Sequence, residues 1–270
     1  MDLLATAKRI TKPFQLRDEQ AFRDLPLAAR ALMGDGSTGA LVAVDGAVDW
    51  LCLPRFDSPS VFARVLDYHR GGSFAIRPAS RRFDSLQGYD GDTNVLETLL
   101  TEAGGGVARL VDSMPWSNDP RSSIHELHRR LDCAGAPLEM EIVFDPRFEY
   151  ASDVPRIDTC DRGAIATASR GERLCLSVSR PLEWRHLPGG GVRATFRLEL
   201  GMTVWSVLSW GIDGIDHVAT HRPWDHLRST RRAWRAWASK ISYDGRFRNS
   251  VLGSALALKL MMYGPTGAVI

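Results

Sequence analysis

Apolar and polar positions alternate with period two from about residue 39 to residue 210, then recur at intervals of three and four after His221. The alternation predicts β-strands at 94–100, 107–111, 138–144, 174–179 and 192–200, with Gly104-Gly-Gly106 and Pro188-Gly-Gly-Gly191 as turns. Along 138–144, Leu138, Met140, Ile142 and Phe144 share one face, and Glu139 and Glu141 share the other. The clearest local signal is Ala40-Leu-Val-Ala-Val-Asp45-Gly46-Ala-Val-Asp-Trp50-Leu-Cys-Leu53. Its two β-rich runs, joined by Asp-Gly, predict a hairpin with a two-residue type I′ turn. A short helix is expected next, capped by Ser58, started by Pro59, faced by Val61, Phe62, Val65 and Leu66 and ended by Gly71. Many antiparallel strands make the fold mainly β, an antiparallel sandwich.

Residues 1–30 are mixed in charge with no clear period and read as an N-terminal extension or a weak helix. The sandwich is expected over 31–221 and a linker helix over 222–243. In that helix Leu227, Thr230, Trp234, Trp237 and Ile241 form an apolar stripe, and Arg228, Arg231, Arg232 and Arg235 hold the polar side. A second helix is predicted over 246–262, ending at Gly264-Pro265. It is apolar on nearly every face, interrupted mainly by Ser254 and Lys259, so residues 244–270 read as the start of a domain whose remainder is missing. Val251, Leu252, Leu256, Leu258, Leu260 and Met261 cannot all be covered, and such a patch drives self-association or leaves the helix frayed.

Composition is globular, with 44% hydrophobic and 24% charged residues in a chain of 270. The net charge of +2 comes from interspersed basic and acidic residues, so there is no field to attract nucleic acid or anionic lipid, and a small neutral partner is expected. The N-terminus lacks a charged region followed by an apolar run, and no window approaches about 18 uninterrupted apolar residues. A cytoplasmic location is expected, with no membrane partner. Cys52, Cys133, Cys160 and Cys175 form no C-x-x-C pair and are expected to be buried thiols.

Tempting chemical motifs reduce to ordinary structure. Glu139 and Glu141 lie side by side on a strand face where charge usually serves solubility. The histidines of His125-Glu-Leu-His128 are three apart, whereas a helical zinc site needs four, and His217, His221 and His226 lack a ligand geometry and read as surface or capping histidines. No metal and no cofactor is expected. Gly34-Asp35-Gly36 precedes a strand, the reverse of a phosphate loop, and reads as a turn. The two tryptophans of the linker stripe could stack on a sugar, but helical spacing favours core.

The ordered segments Met33-Gly-Asp-Gly36, Gly39-Ala-Leu-Val42, Asp45-Gly-Ala-Val-Asp-Trp-Leu-Cys-Leu-Pro-Arg-Phe-Asp-Ser-Pro-Ser60 and Gly91-Asp-Thr-Asn-Val-Leu-Glu97 resemble glycoside hydrolase family 15. This family includes glucoamylases and trehalases. The likeness continues through Val111-Asp-Ser-Met-Pro115, Asp145-Pro-Arg-Phe-Glu-Tyr150, Ser254-Ala-Leu-Ala-Leu-Lys-Leu260 and Tyr263-Gly-Pro-Thr-Gly-Ala-Val-Ile270. The resemblance implies a β super-sandwich, a helical linker and an (α/α)6 barrel, of which only the first helix is present. It also implies inverting hydrolysis of α-glucosidic bonds by two barrel carboxylates about 6.5–9.5 Å apart. Neither carboxylate has a counterpart here, so the 270 residues alone are expected to be inactive. An α-glucoside or trehalose would be engaged only through the missing domain.

What remains is a contribution to the substrate cleft. Arg55, Phe56 and Asp57 follow a strand on one loop, where the charged pair could bond sugar hydroxyls and the ring could pack on a sugar. The alternative, in which Arg55 and Asp57 only pin the loop or the domain interface, is favoured. Tyr263 and Thr266 lie where the family chain leaves its first barrel helix toward the cleft and are weaker candidates. A second class of function also stands, a free-standing sandwich that binds carbohydrate or completes a barrel supplied by another polypeptide.

Overall fold

A computed structural model describes residues 13–117, 119 and 123–270. In chain order its strands are β1 (Phe14–Leu16), β2 (Arg30–Gly34), β3 (Gly39–Ala43), β4 (Ala47–Cys52), β5 (Ser60–Phe62), β6 (Ser73–Pro78), β7 (Phe83–Tyr89), β8 (Leu96–Thr101) and β9 (Val107–Ser113). They continue as β10 (Glu126–Cys133), β11 (Leu138–Asp145), β12 (Arg156–Cys160), β13 (Gly163–Thr167), β14 (Arg173–Val178), β15 (Arg185–His186), β16 (Val192–Leu198) and β17 (Thr203–Trp210). One sheet runs β1-β7-β8-β9-β10-β17-β14-β13-β12; the other runs β15-β16-β11-β6-β4-β3-β2, with β5 added beside β4. The strand pairs are antiparallel, and the protein is the β-sandwich that the alternation predicts.

Each strand turns alternate side chains inward, so one core forms between the two sheets. Leu96, Leu100, Leu110, Leu131 and Leu208 of the first sheet meet Met33, Val48, Phe74, Ile76, Ile142 and Phe144 of the second. Arg129 of β10 crosses this apolar layer with no exposure. It forms a two-pronged pair with Asp112 at 2.8 and 3.1 Å and donates to the carbonyls of Phe74 and Gly46 in the opposite sheet.

The outer face of the second sheet is ionic rather than wet. Arg30 pairs with Asp49, Arg64 with Asp45 and Asp49, and Arg77 with Asp45 and Glu141. Burial alone would raise the Asp45 carboxyl, but Arg64, helped by Arg77, outweighs it and holds the group below the ordinary carboxylate range. At Asp49 burial prevails and pushes the carboxyl up. Glu141 therefore departs from the solvated face read from its strand: it is 1% exposed, held by Arg77 at 2.8 Å and Arg81 at 3.2 Å, whereas Glu139 does face solvent. Alternation identifies an outward side chain but cannot show what covers that face. Part of the cover comes from the chain's own beginning. The lead expected over 1–30 lies outside the described residues as far as residue 12, but β1 pairs with β7, and Leu16 and Phe22 join the core. Phe22, on the short helix Glu19–Arg23, also sits 5.1 Å from the Arg77 guanidinium.

Two local expectations are corrected. The hairpin β3–β4 forms, but its connection is closed by the Gly46 N–H to the Ala43 carbonyl, and Gly46 alone is left-handed (φ 79°), so the turn is not the two-residue type I′. Asp45 is drawn inward by its two arginines, and a Cβ on Gly46 would lie 2.2 Å from the Ile76 carbonyl oxygen. The helix expected from Ser58 is instead β5 followed by turns. Ser60, Val61 and Phe62 are all buried, with Phe62 opposite Leu51, and one helical face cannot bury three consecutive residues. Ser58 accepts the Arg55 N–H within its own loop. Cys52, Cys133 and Cys175 are buried as expected, and Cys160 is exposed near the end of the edge strand β12.

The linker helix spans Pro223–Ala238 and buries Leu227 against Val95, Val111, Trp205 and Val207 on the outside of the first sheet. Its arginines are not simply a solvated side. Arg231 pairs with Asp90 at 2.5 Å and Glu97 at 3.3 Å, and Arg235 reaches Asp90, so the helix is clamped to the sandwich. The terminal helix, Arg248–Leu260, sets Leu252, Leu256 and Leu260 against Trp234 and Ala238. Asn94 donates to the Leu256 carbonyl at 3.1 Å, tying this helix to the sandwich. Val251 is 37% and Leu258 54% exposed, so the apolar surface is half covered. No helix among the described residues is long and apolar enough to cross a membrane.

Candidate functional site

The turn between β2 and β3 gathers the loops that the sequence singled out. Asp35 accepts the N–H groups of Ser37 and Thr38 at 2.8 and 2.9 Å on one oxygen and the Ser123 hydroxyl on the other. That fixes the turn and leaves Gly36 at φ 83°, where glycine costs no strain. Two segments dock on it through backbone bonds, Phe56 N–H to the Ser37 carbonyl at 2.9 Å and Gly264 N–H to the Gly36 carbonyl at 2.7 Å. The structure thus brings Phe56 and the stretch beginning at Tyr263 to one place from positions two hundred residues apart.

Beside this turn lies a cavity of about 320 Å³ between the sandwich and both helices, lined by Asp35, Trp116, Ser117, Trp234, Lys259 and Met262 among others. Trp116 meets Trp234 edge-on with ring centres 4.7 Å apart, and its backbone N–H donates to Thr230 Oγ1 at 2.9 Å. The Lys259 ammonium stands 5.8 Å from the Trp116 ring centre. Trp116 and Lys259 carry no site signal in the sequence. Trp116 follows a strand with no periodic partner, and Lys259 registers only as a break in an apolar run. Trp234, core by its helical spacing, is buried.

Of the residues singled out, Arg55 and Asp57 pair with each other through bonds of 2.9 and 3.2 Å, with side chains 56% and 72% exposed. An exposed pair of this kind is worth about 0–1 kcal/mol. Phe56 is half-buried, and a Cβ on Gly39 would stand 3.2 Å from its ring. Tyr263 is half-buried in a turn closed by its N–H to the Ala268 carbonyl, and Thr266 is exposed with its hydroxyl accepting the Ala268 N–H.

The histidines contain a surprise. Glu126 on β10 accepts from His128 Nε2 and His221 Nδ1, both at 2.7 Å, and both imidazoles are buried. His221 is therefore not a surface histidine; it pins the start of the linker to the sandwich, while His217 caps the turn Val218–His221 as expected. Burial would raise the Glu126 carboxyl, but the two histidine bonds outweigh it and bring it down to about 2. Burial pushes His128 down, against the pull of Glu126. With Glu126 accepting, each ring directs its other nitrogen, His128 Nδ1 and His221 Nε2, into a buried place with no hydrogen-bond partner. Among the described residues no group of three or more histidine, cysteine, aspartate or glutamate side chains has the arrangement of a metal site.

The family model described as trehalase-like, N-terminal, matches residues 20–178. The chain belongs to this family. It is 34% identical over 239 residues to a trehalase of Thermoplasma volcanium, covering 88% of this chain and 38% of that protein. A trehalase of Thermoplasma acidophilum is 33% identical over 85% of this chain and 39% of its own length, and one of Mycolicibacterium smegmatis is 31% identical over 91% and 39%. The chain therefore spans about two-fifths of the length of these curated relatives. A solved structure, a putative kojibiose phosphorylase from human microbiome, superposes with a TM-score of 0.42 at 10% identity, over 96% of this chain and 39% of that one.

Proposed function

We propose that these 270 residues are the sandwich, linker and first barrel helix of a family 15 type glycoside hydrolase that cleaves an α-glucosidic bond, in trehalose or a malto-oligosaccharide, with inversion. In this reading the general acid and the general base both come from the part of the barrel beyond this chain, separated by about 6.5–9.5 Å to admit the attacking water. The chain by itself does not hydrolyse. Membership of the trehalase-like N-terminal family and relatives called trehalases support the substrate class.

The observation that carries the reading is the seating of the terminal helix. Three leucines dock it on the sandwich side, while Val251 and Leu258 remain apolar and uncovered on the other, which suits a helix awaiting further helices. Arg55, Phe56, Asp57, Tyr263 and Thr266 would form part of the cleft wall, gathered around the Gly36–Ser37 turn beside the Trp116 cavity. Asp35 is not a spare acid or base, because its oxygens already hold three donors that set the turn.

The test pairs two measurements. The 270-residue chain is incubated with trehalose and with maltotriose, and the native polypeptide is weighed intact from its own cells. We expect no glucose release from the chain and a native mass well above 29.9 kDa. Hydrolysis by the chain alone overturns the reading. A native mass near that value favours the free-standing sugar-binding or split-enzyme role.

A further inference from the structure

Beside the linker helix, on the outer face of the first sheet, lies a groove of about 650 Å³. Arg228, Arg231, Arg232 and Arg235 of the helix line it together with Arg130 of β10, and no aspartate or glutamate among the described residues does. None of its lining residues lines the Trp116 cavity. The net charge of +2 conceals this concentration, because the acidic residues are spread along the rest of the chain.

The four helix arginines fall at i, i+3, i+4 and i+7, so each has a like-charged neighbour about one turn away, which weakens a helix unless the charge is neutralised. Neutralisation within the chain is incomplete. Arg231 and Arg235 share Asp90, Arg231 also takes Glu97, and Arg130 pairs with Asp132 at 3.0 Å. Those carboxylates hold three guanidinium forks in place. Arg228 comes no nearer than 3.8 Å to Asp225, which already holds Arg222 at 2.9 Å. Arg232 is exposed and has no hydrogen-bond or ion-pair partner among the described residues.

A second, independent feature stands at one end of the groove. Trp224 is 48% exposed, and its ring is backed by the buried Trp205, with centres 5.7 Å apart and planes at 58°. An indole held against another, with water on its free side, is a platform for a flat ring. Trp224, Arg228, Arg232 and Arg235 follow at intervals of four, four and three, one stripe about 16 Å long.

The lining narrows what the groove holds. Guanidinium forks bond phosphate oxygens two at a time, and an indole carries any base. A neutral sugar would leave the charge unanswered, and a bare inorganic anion would leave Trp224 uncovered. A nucleic-acid strand needs a series of stacking platforms, whereas Trp224 is the one exposed aromatic side chain on this lining. The volume lies within the range of small-molecule pockets. We propose that this groove binds one nucleoside di- or triphosphate, its base stacked on Trp224 and its phosphates lying along Arg228, Arg232 and Arg235. With Arg130 supplied by β10, the bound nucleotide bridges linker and sandwich. The proposal does not depend on the hydrolase reading, since it concerns binding to the 270-residue chain and not turnover.

The test is calorimetric titration of the 270-residue chain with ATP, ADP, adenosine, tripolyphosphate and a short single-stranded DNA. We expect one site for ATP with a dissociation constant on the order of 10–100 μM at low salt. Raising NaCl from about 0.05 to about 0.5 M should weaken it roughly tenfold, because the screening length shrinks. Adenosine and tripolyphosphate should each bind at least about tenfold more weakly than ATP, since each uses one half of the groove. Arg232→Ala breaks no contact of the free chain, so it should keep the melting temperature while ATP affinity falls roughly tenfold. Trp224→Ala should weaken ATP by a similar factor and leave tripolyphosphate unchanged. Arg156→Ala, which removes an exposed charge from the edge strand β12, is the control and should change nothing. No saturable heat with either nucleotide overturns the proposal, as does an ATP affinity unchanged in Arg232→Ala. Tripolyphosphate bound as tightly as ATP, with no effect of Trp224→Ala, overturns it and leaves an anion site without a base. DNA bound far more tightly than ATP overturns it in favour of a strand.

Discussion

Removing the Asp112 carboxylate should nearly unfold the sandwich. Asp112 and Arg129 are both completely buried and joined by two bonds, and Arg129 spends its remaining donors on the Phe74 and Gly46 carbonyls of the facing sheet. In Asp112→Ala the guanidinium cannot neutralise itself or reach water, and an uncompensated buried charge costs about 3–5 kcal/mol. That is a large share of a total stability of roughly 5–15 kcal/mol. Arg129→Met strands Asp112 and should cost a similar amount. The double variant leaves only two carbonyls short of a donor, roughly 2 kcal/mol at about 1 kcal/mol each. The two single costs should therefore exceed the double by at least about 3 kcal/mol. Urea unfolding followed by tryptophan fluorescence reads this, and eight tryptophans give ample signal. Asp112→Asn, which keeps the shape, serves if the alanine variant does not fold. The exposed Arg55–Asp57 pair is the control: Arg55→Ala should stay within about 1 kcal/mol of the parent. A cost below about 1 kcal/mol for Asp112→Ala, or a double variant as costly as the sum of the singles, would refute the reasoning.

Two further outcomes follow from the same structure. His128 is held below its ordinary value of 6.5, so the unfolded chain takes up its proton first, and the stability it contributes is complete above 6.5 and lost as pH falls from there. Glu126, held down to about 2, adds stability that is complete above 4.5 and lost between 4.5 and about 2. The difference in unfolding free energy between the parent and His128→Asn should therefore shrink on acidification below 6.5; a flat difference rejects the assignment. Asp49 and Asp145, pushed up by burial, act in the opposite sense and cancel in that comparison. Leu256→Ala should cost about 2–5 kcal/mol and speed amide exchange across 251–260, since Leu256 is 1% exposed between the helices; unchanged exchange would mean that the helix does not rest there.

The sequence by itself determined the class of fold, the hairpin at Asp45-Gly46, the faces of the strand ending at Phe144 and the helix carrying Trp234. Each depends on spacing between near neighbours, and period two or period 3.6 is enforced wherever one side of an element is buried. The family segments were legible for the same reason, because they are contiguous. What only the tertiary structure decided depends on partners far away in the chain. Glu139 and Glu141 are alike by position, yet Glu141 is buried because Arg77, sixty-four residues earlier, lies opposite it. Ser60–Phe62 became a strand because Leu51 offered it an edge that outweighed a good capping pattern. His221 left the surface because Glu126, ninety-five residues away, had an oxygen to share with it. The candidate site follows the same rule: Phe56 and Tyr263 were visible as residues, but their meeting at Gly36, and the cavity that Trp116 and Lys259 form beside them, exists only once the helices have docked. Desolvation drives buried polar groups toward partners, although a few atoms such as His128 Nδ1 stay unpaired, and no local pattern states which partner each group will find.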